Sequence, residues 1–334
     1  MPTWYDAFGA EYNASNSNYT DQSQSNPTAV VGGSVHSVDV HNDQSNATFQ
    51  QAHAGSGGYE APSFGSDATN YNETHQYQNN PTAVIGDHIG SVDVHNNQSN
   101  YTEQQADAHS GGYEAPWSGS YAANSNATQQ SQYNPTVVMG DHIGSVNVDN
   151  NQSNETHQQA DAHSGGYEAP WFGSSAANSN ETYQSQNDPT LVFGGSGGSV
   201  GHVDVHNNQS NETYQQADAH SGGYEAPWFG SSAMNSNETH QYQNNPTLVF
   251  GGSGGSIGSV DVHNNQSNET FQQADAHSGG HDLLGFPSSG GASNFNFTTQ
   301  IQADPTIVIG DHIGSVDVHN SQSNATEQLA LAHH

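Results

Sequence analysis

The sequence predicts an all-β fold, a repetitive cross-β or β-solenoid stack in which each unit of about 55 residues contributes one rung of short strands. Three observations carry this prediction: a tandem repeat, a polar motif that recurs twice in each unit, and a period-two alternation of side-chain types. One valine marks each unit, and successive markers are 54, 54, 57, 57 and 56 residues apart: Val38, Val92, Val146, Val203, Val260 and Val316. So constant a register indicates an ordered repeat fold rather than random low complexity.

The motif N-x-T-x-Q opens each unit and divides the chain. We predict an N-terminal segment and six repeats, the last of which lacks the linker: 1–17, 18–71, 72–125, 126–179, 180–236, 237–295 and 296–334. Between the two strand runs of a unit lies a segment such as 86–90, which is three residues longer at 194–201. Because an odd insertion in a continuous strand would reverse every later side chain, we predict a loop there. The Gly- and Pro-marked linker at 164–171 carries aromatic residues that we expect to pack outside the stack.

The alternation separates a constant face of each strand from a variable face. Alternate positions hold Val, Thr, Asn, Gln or Ala in unit after unit, whereas the intervening positions vary, for example at Tyr101, Glu155 and Ala325. Successive side chains of a strand point to opposite faces, so we predict that the constant face is buried. Buried amides need partners, and identical amides stacked at the strand spacing of ~4.8 Å satisfy one another along a ladder. The residues predicted to form these ladders are Asn72, Thr74, Gln76, Asn100, Thr102, Gln104, Asn154, Thr156, Gln158, Asn268, Thr270, Gln272, Asn324, Thr326 and Gln328.

The Asn-x-Thr triplets are also formal acceptors for N-linked glycosylation. Glycosylation requires an exposed asparagine, whereas the alternation places Asn and Thr on the constant face together with Gln. We therefore favour the ladder role and keep glycosylation as the alternative.

The charge balance excludes several classes of partner. The chain has no Lys, Arg or Cys and 33 acidic residues, which give a formal net charge of −33 at pH 7. Without fixed cations it cannot form the basic patch that phosphate contacts need, so we predict no nucleic-acid partner. No apolar run approaches the ~20 residues of a membrane span, and polybasic adhesion to anionic lipid is excluded, so we predict no membrane insertion. The lack of Cys excludes disulfides and thiolate zinc sites.

We also predict that the chain is not an enzyme and has no catalytic residues and no organic cofactor. The pattern G-x-S-x-G occurs at 194–198 and 251–255, in both cases as Gly-Gly-Ser-Gly-Gly. Both copies lie in predicted inter-strand loops, without the following helix that a nucleophile elbow requires. A flexible turn is the better interpretation of both, and the sequence has no H-E-x-x-H zinc motif.

Histidine follows the repeat as well, two residues after an aspartate on the variable face. Stacked units would align these pairs in columns, and imidazole with carboxylate suits divalent metals, so Ca²⁺ or another divalent cation is the candidate ligand. The alternative is a solvated outer face that keeps the chain soluble. Since stacked carboxylates repel, we expect assembly to be favoured at mildly acidic pH or by divalent cations. The candidate metal ligands are Asp93, His95, Asp107, His109, Asp204, His206, Asp261, His263, Asp317 and His319.

The repeats resemble those of bacterial functional amyloid subunits of the curli and Fap type. Curli-like repeats pair strands with spaced Gln and Asn around a short turn, as at 98–104 here. Fap-like repeats carry G-V-N-V, an Asn/Gln-rich turn and an Ala-rich strand, to which 144–148, Asn154 and 160–162 are similar. The unit is longer than a curli repeat, and it differs in lacking basic residues and in its many histidines. The resemblance implies extracellular amyloid-like fibrils of a biofilm matrix, with an outer-membrane secretion or nucleation partner.

Together these features predict the structural subunit of an extracellular, self-assembling fibril that serves as biofilm matrix, adhesion factor or surface coat. Its main partner would be another copy of itself, because the terminal rungs of a stack expose unpaired strand edges. The first alternative is a monomeric secreted β-solenoid that acts as an adhesin or binds divalent cations. A second is an intrinsically disordered acidic scaffold. Residues 1–8 lack the basic and apolar regions of a secretory signal, so the export route stays open.

Overall fold

The computed structural model describes residues 12–56, 65–110, 119–166, 173–225, 230–281 and 290–333. Within these ranges the chain is all-β, and no helix is long and apolar enough to span a membrane. The linker aromatics that we expected outside the stack, such as Tyr167 and Trp171, lie outside the described residues.

Sixteen strands, numbered along the chain, occur in three recurring types. The first type opens each rung: β1 (Tyr12–Gln24), β4 (Ser66–Gln78), β7 (Ser120–Gln132), β9 (Ser174–Gln186), β11 (Ser232–Gln243) and β14 (Gly291–Gln302). The second is a strand of four residues: β2 (Thr28–Val31), β5 (Thr82–Ile85), β12 (Thr247–Phe250) and β15 (Thr306–Ile309). The third closes the rung: β3 (Ser34–Ser56), β6 (His88–Ser110), β13 (Ser256–His281) and β16 (His312–His333). In the third and fourth rungs the second and third types are continuous, as β8 (Thr136–Gly166) and β10 (Thr190–Glu225).

Strands of one type pair in parallel with the same strands of neighbouring rungs. The opening strands form a six-stranded sheet in the order β1-β4-β7-β9-β11-β14, which we call the opening sheet. The remaining ten strands form a second sheet, the closing sheet. Equivalent residues face each other throughout, as Asn72 pairs with Asn126 and Val146 with Val203. This in-register parallel stack, with one rung per repeat unit, confirms the predicted β-solenoid with cross-β-like sheets.

The length differences between units are absorbed locally. The predicted loop is wrong for the third and fourth rungs, where β8 and β10 run through this segment. In the second rung the break between β5 and β6 covers only Gly86 and Asp87, and strand pairing resumes at His88. In the fourth rung the register shifts between Gly194 and Ser199 and is regular on either side. Gly197 in this segment has a φ of 70°, a left-handed conformation that glycine adopts without steric cost. The extra residues therefore leave the inward and outward faces of β10 unchanged.

The rungs begin earlier than the sequence markers. The repeat boundaries were set at the first Asn of N-x-T-x-Q, such as Asn72 and Asn126, whereas β4 begins at Ser66 and β7 at Ser120. Likewise the N-terminal segment 1–17 extends into β1, which the structure describes from Tyr12 onward. The residues before each marker keep the same alternation and belong to the same strand, so a motif-based boundary cuts that strand.

The opening and closing strands alternate in height along the stack. Within the first rung Asn18 Nδ2 donates to Thr48 Oγ1 of β3, at 3.3 Å. From β3, Asn46 Nδ2 donates in turn to Thr74 Oγ1 of β4 in the second rung, at 3.4 Å. Thus β3 packs against both β1 and β4. The consequence is a half-rung stagger, in which every closing strand lies between two opening strands.

Two apolar regions flank a polar interior. At one end of the rung a continuous row of Val and Ile side chains includes Val94, Val148 and Val205. At the other end the two sheets meet through alanines, such as Ala106 and Ala122. Alanine methyls let the sheets approach closely, whereas the larger valines fill the space beside the four-residue strands. Between these regions the packed side chains are Asn, Gln and Thr.

Candidate functional site

The polar interior consists of ladders of asparagine amides that run the length of the stack. In one column Asn100 Nδ2 donates to Asn154 Oδ1 and Asn154 Nδ2 to Asn211 Oδ1, both at 2.8 Å. The second proton of the Asn154 amide lies near the hydroxyl oxygens of Thr156 and Thr182, at 3.3 and 3.2 Å. Each asparagine therefore donates toward the C-terminal end of the stack and accepts from the N-terminal side.

The glutamine ladders run in the opposite direction. Gln130 Nε2 donates to Gln76 Oε1 of the preceding rung, at 2.9 Å. The other proton of that amide goes across the interior to the backbone carbonyl of Ser153, also at 2.9 Å. A backbone carbonyl can only accept, so this contact fixes which end of the amide is the donor. The glutamines therefore donate toward the N-terminal end of the stack.

The structure places the predicted ladder residues in this interior. The members from Asn72 to Gln272 are buried, with 3% or less of their surface exposed. An asparagine held between two others has no room for a glycan, which favours the ladder role over glycosylation for these residues. In the last rung Asn324, Thr326 and Gln328 occupy the same columns but are exposed, because no rung follows them.

Two further asparagine columns were missing from the predicted set. Asn124 Nδ2 donates to the backbone carbonyl of Gln159, at 2.6 Å, and to Asn178 Oδ1, at 3.0 Å. In the other column Asn96 Nδ2 donates to Asn150 Oδ1, at 2.8 Å. Both columns lie an even number of residues from the predicted ladder positions and therefore on the same face of the strand. The period-two alternation alone would have identified them, whereas the N-x-T-x-Q motif does not include them.

The two ends of the stack expose different strands. At the N-terminal end the opening strand β1 protrudes, and at the C-terminal end the closing strand β16 protrudes. The inward-facing Val38 of β3 is 8% exposed and packs in the valine row beside the four-residue strands. By contrast, the inward-facing Val316 and Val318 of β16 are 46% and 40% exposed. The C-terminal end is therefore a surface of apolar and amide side chains of the kind that the inner rungs bury.

The hydrogen-bonding groups of the two ends are complementary. At the C-terminal end the Asn columns stop at residues such as Asn324, whose donors have no next rung within the chain, and the Gln columns stop at acceptors such as Gln322. At the N-terminal end no described residue donates to Asn18 Oδ1, and Gln44 is the acceptor at the base of its column. A second copy stacked head to tail would thus meet donor with acceptor in both kinds of column, whereas a head-to-head arrangement would oppose like groups.

One ladder column contains buried acids in place of asparagine. Asp188 is 1% exposed and aligns with Asn134 and Asn245, and the backbone N–H of Asn134 donates to its Oδ1 at 2.5 Å. Its Oδ2 has no hydrogen-bond partner among the described residues. Burial raises the pKa of Asp188 from 3.8 to about 7. Burial also raises the pKa of Asp304 in the same column.

We predict that Asp188 makes stability depend on pH, and that Asp188→Asn removes this dependence. The pKa of Asp188 is higher in the folded chain than in the unfolded chain. The protonated carboxyl therefore makes its full contribution to the free energy of unfolding below about pH 4. This contribution falls as the pH rises to about 7, and above that pH the free energy of unfolding no longer changes through Asp188. At pH 8 the Asn variant should be more stable by up to about 4 kcal/mol, since each pH unit corresponds to 1.36 kcal/mol. Urea unfolding at pH 4 to 8 measures this, with the exposed Asp21→Asn as control; equal profiles for Asp188→Asn and the native chain contradict the prediction.

The candidate metal ligands lie on the outward faces, where the structure brings some of them together. Asp204, His206 and His263 place ligand atoms within 4.8 Å of one another, and so do Asp275, His277 and His333. Asp275, His277 and His333 were not among the candidate ligands. Asp275 and His277 follow the Asp-x-His pattern, whereas His333 is brought to them only by the stacking of rungs.

The other candidates are placed in simpler pairs. His95 Nδ1 lies 2.9 Å from Asp149 Oδ2 of the next rung, a residue the prediction did not include. His109 stacks on His163 with ring centroids 4.9 Å apart, and Asp107 lies 3.9 Å from His53 Nδ1. In the last rung His319 Nε2 and Asp317 Oδ1 form an exposed pair at 3.2 Å. Asp93 accepts from Asn147 Nδ2 at 2.6 Å, and Asp261 lies 3.3 Å from His263.

Comparisons of the chain with protein-family models, with curated proteins and with solved structures find no match. The case for function therefore depends on the fold and on the chemistry of its surfaces.

Proposed function

We propose that this chain is the structural subunit of a self-assembling extracellular fibril, in which copies stack head to tail and continue the β-solenoid. The observation that carries the proposal is the complementarity of the two ends. One end presents a protruding opening strand and the other a protruding closing strand, and the half-rung stagger lets each occupy the place that the other leaves. Strand edges of this kind are templates for pairing with another chain.

The energetics of the end surfaces also favour assembly. Side chains that are exposed at β16, such as Val316 and Val318, have equivalents in the inner rungs, such as Val203 and Val205, that are fully buried. Burial of apolar surface contributes about 25 cal/mol for each Å² removed from water. Each added copy also supplies partners for the terminal Asn and Gln amides, which are costly to bury unpaired but favourable in a complete ladder.

The outer surface is consistent with a fibril exposed to the environment. It carries the acidic side chains and offers no Lys or Arg, so proteases that cleave after basic residues find no site in the sequence. The net charge of one sign keeps lateral faces of neighbouring fibrils apart, whereas the ends associate through the uncharged inward-facing side chains of β1 and β16. A role in biofilm matrix, adhesion or surface coat follows from the resemblance of the repeats to curli- and Fap-type subunits.

The proposal predicts a characteristic fibre. Electron microscopy of the purified chain should show long unbranched fibrils whose number grows with protein concentration. Fibre diffraction should give a meridional reflection at ~4.8 Å, and six rungs at that spacing give a subunit rise of ~29 Å along the axis. Discrete rods of about this length at every concentration would instead support the monomeric solenoid, and coil-like circular dichroism would contradict both fold and function.

A further inference from the structure

Two clusters of imidazole and carboxylate groups on the outer faces differ from the other acidic positions. In the first, which we call the His206 site, Asp204, His206 and His263 are half-buried and come from two neighbouring rungs. The rings of His206 and His263 are nearly parallel, with centroids 5.0 Å apart. His206 Nδ1 is 3.2 Å from Asp149 Oδ1 of the preceding rung and 3.5 Å from Asp204 Oδ1 of its own rung. His263 Nδ1 is 3.3 Å from Asp261 Oδ1 of its own rung.

Two of the three ligand atoms of this site, and one oxygen of the adjacent Asp261, lack hydrogen bonds among the described residues. Asp204 Oδ1, Asp261 Oδ1 and His263 Nδ1 are shielded from solvent, and none has a hydrogen-bond partner among the described residues. A shielded carboxylate oxygen without a partner is unfavourable, so atoms of this kind mark a place where a ligand is needed. Unpartnered atoms also occur in the interior, for example Asn80 Nδ2 and Gln132 Oε1, but only the outward columns combine such atoms with imidazole nitrogens.

The second cluster, the His333 site, has the same composition at the C-terminal end of another column. Asp275 Oδ1 lies 3.3 Å from His277 Nε2 and 4.0 Å from His333 Nε2. The two imidazole rings are stacked with centroids 4.4 Å apart. Asp275 Oδ1 also lacks a hydrogen-bond partner among the described residues. The recurrence of two imidazoles around one orphaned carboxylate oxygen, in separate columns, indicates a property of the repeat.

We propose that the His206 and His333 sites each bind a divalent transition-metal ion of the Zn²⁺, Ni²⁺ or Cu²⁺ type. Each site offers two imidazole nitrogens and a carboxylate oxygen, and a water molecule completes four-coordination. Ligand atoms bound to Zn²⁺ at 2.0–2.1 Å in a tetrahedron are about 3.4 Å apart, close to the 3.3 to 3.5 Å separations within each His–Asp pair. Both sites face outward, so the side chains can close the remaining distance by small rotations.

The donor set selects among cations. Ca²⁺ takes six to eight oxygen ligands and Mg²⁺ retains several waters, whereas imidazole favours Zn²⁺, Cu²⁺ and Ni²⁺. The sites therefore correct the general expectation of a calcium-type ligand toward a transition metal. Because each site draws its two histidines from successive rungs, metal binding would also join those rungs through their outer faces.

The electrostatics of the stacked columns support a bound cation. Burial and the neighbouring imidazoles of His220 and His109 lower the pKa of His163. Burial and the charge of Asp218 raise the pKa of Asp161 to about 6. Stacked carboxylates thus repel one another in a chain that has no Lys or Arg to neutralise them. A divalent cation between the rungs relieves that repulsion.

Calorimetric titration of the metal-free full chain with Zn²⁺ and with Ni²⁺ tests the proposal. The variants are His206→Gln with His263→Gln, and His277→Gln with His333→Gln. The matched control is His75→Gln with His240→Gln, because each of these histidines pairs with a single glutamate at 2.8 Å and stacks on no other histidine. Each site variant should lose one binding equivalent or bind it at least tenfold more weakly, while the control retains the native isotherm.

Titration with Co²⁺ provides a second readout, since its visible spectrum reports nitrogen and oxygen ligation directly. The native chain and the control should give the same spectrum, and excess Ca²⁺ should not displace the ion. Isotherms that are unchanged in both site variants, or reduced equally in the control, would overturn the proposal, as would displacement by Ca²⁺. Circular dichroism of each variant verifies that the fold is retained. Metal binding here does not depend on fibril formation, so either proposal can fail alone.

Discussion

Asn154→Asp is expected to lower the free energy of unfolding by about 3–5 kcal/mol at pH 7, because it puts an unpaired charge in the centre of a buried ladder. The Asn154 amide is 2% exposed and donates to Asn211 Oδ1, at 2.8 Å. A carboxylate in its place has no proton for that contact and sets two acceptor oxygens against each other. The lost hydrogen bond also weakens the column in the neighbouring rungs, because each amide of the column donates to the next.

The matched control is Asn151→Asp, three residues earlier on the same strand but on the outward face. Asn151 only accepts there, from Asn208 Nδ2 at 3.0 Å, and an aspartate retains that acceptor. The control should therefore change stability by less than about 0.5 kcal/mol. The shift of the urea midpoint, measured at low protein concentration, compares the two variants.

The effect of Asn154→Asp should shrink at acidic pH. Burial raises the pKa of a carboxyl group that lacks a countercharge, and the neutral acid regains one donor proton. The folded chain then binds protons more tightly than the unfolded chain, so the variant is most stable at low pH and loses stability as pH rises. Equal destabilisation by Asn154→Asp and Asn151→Asp at pH 7 would show that the ladder does not stabilise the fold.

Val318→Lys is expected to abolish fibril growth while leaving the single chain folded. Val318 faces the interior side of β16 and is 40% exposed in one chain, so a lysine there keeps its ammonium in water. In a head-to-tail fibril the same position is covered, and burying an unpaired charge costs several kcal/mol. Such a cost raises the concentration needed for assembly by at least a hundredfold, since 1.4 kcal/mol corresponds to a factor of ten. The outward Ser321→Lys on the same strand is the control and should still polymerise.

A pair of variants tests the direction of stacking. Thr20→Lys places the same charge on the inward side of β1, at the opposite end, with the outward Ser17→Lys as its control. Each inward variant alone should remain monomeric, whereas an equimolar mixture of Thr20→Lys and Val318→Lys should form a dimer and nothing larger. Sedimentation analysis distinguishes these species. Fibrils from either single variant would contradict head-to-tail stacking through these ends.

Much of this architecture could be predicted from the sequence, because the fold repeats its own signals. The positions of Asn72, Thr74 and Gln76 follow from period two, and their burial follows from the need of amides for partners. The parallel register, Asn72 beside Asn126, follows from the constant spacing of the units. In these respects local pattern and tertiary structure agree, as expected for a fold whose contacts lie between equivalent residues.

Other features depend on three-dimensional relations that spacing does not contain. The half-rung stagger arises from how β3 fits between β1 and β4, and nothing in the repeat length specifies it. The His333 site requires knowledge that His277 and His333 are stacked neighbours and that Asp275 lacks another partner. Asp188 has the parity of the constant face, so the alternation predicts its burial, but the absence of a hydrogen-bond partner for its Oδ2 among the described residues could be seen only in the stacked fold.

The opposite directions of the Asn and Gln ladders have a consequence for length. The described interior holds four continuous Asn columns that donate toward one end and three continuous Gln columns that donate toward the other. Aligned amide dipoles add along a single ladder, as peptide dipoles do along a helix. If all ladders ran in one direction, the electric field at the end of the stack would grow with each added unit. Here the two sets oppose each other, so the fields largely cancel. In the proposed fibril a late subunit would therefore be added to nearly the same electrostatic environment as an early one, and the ladders would set no limit on length.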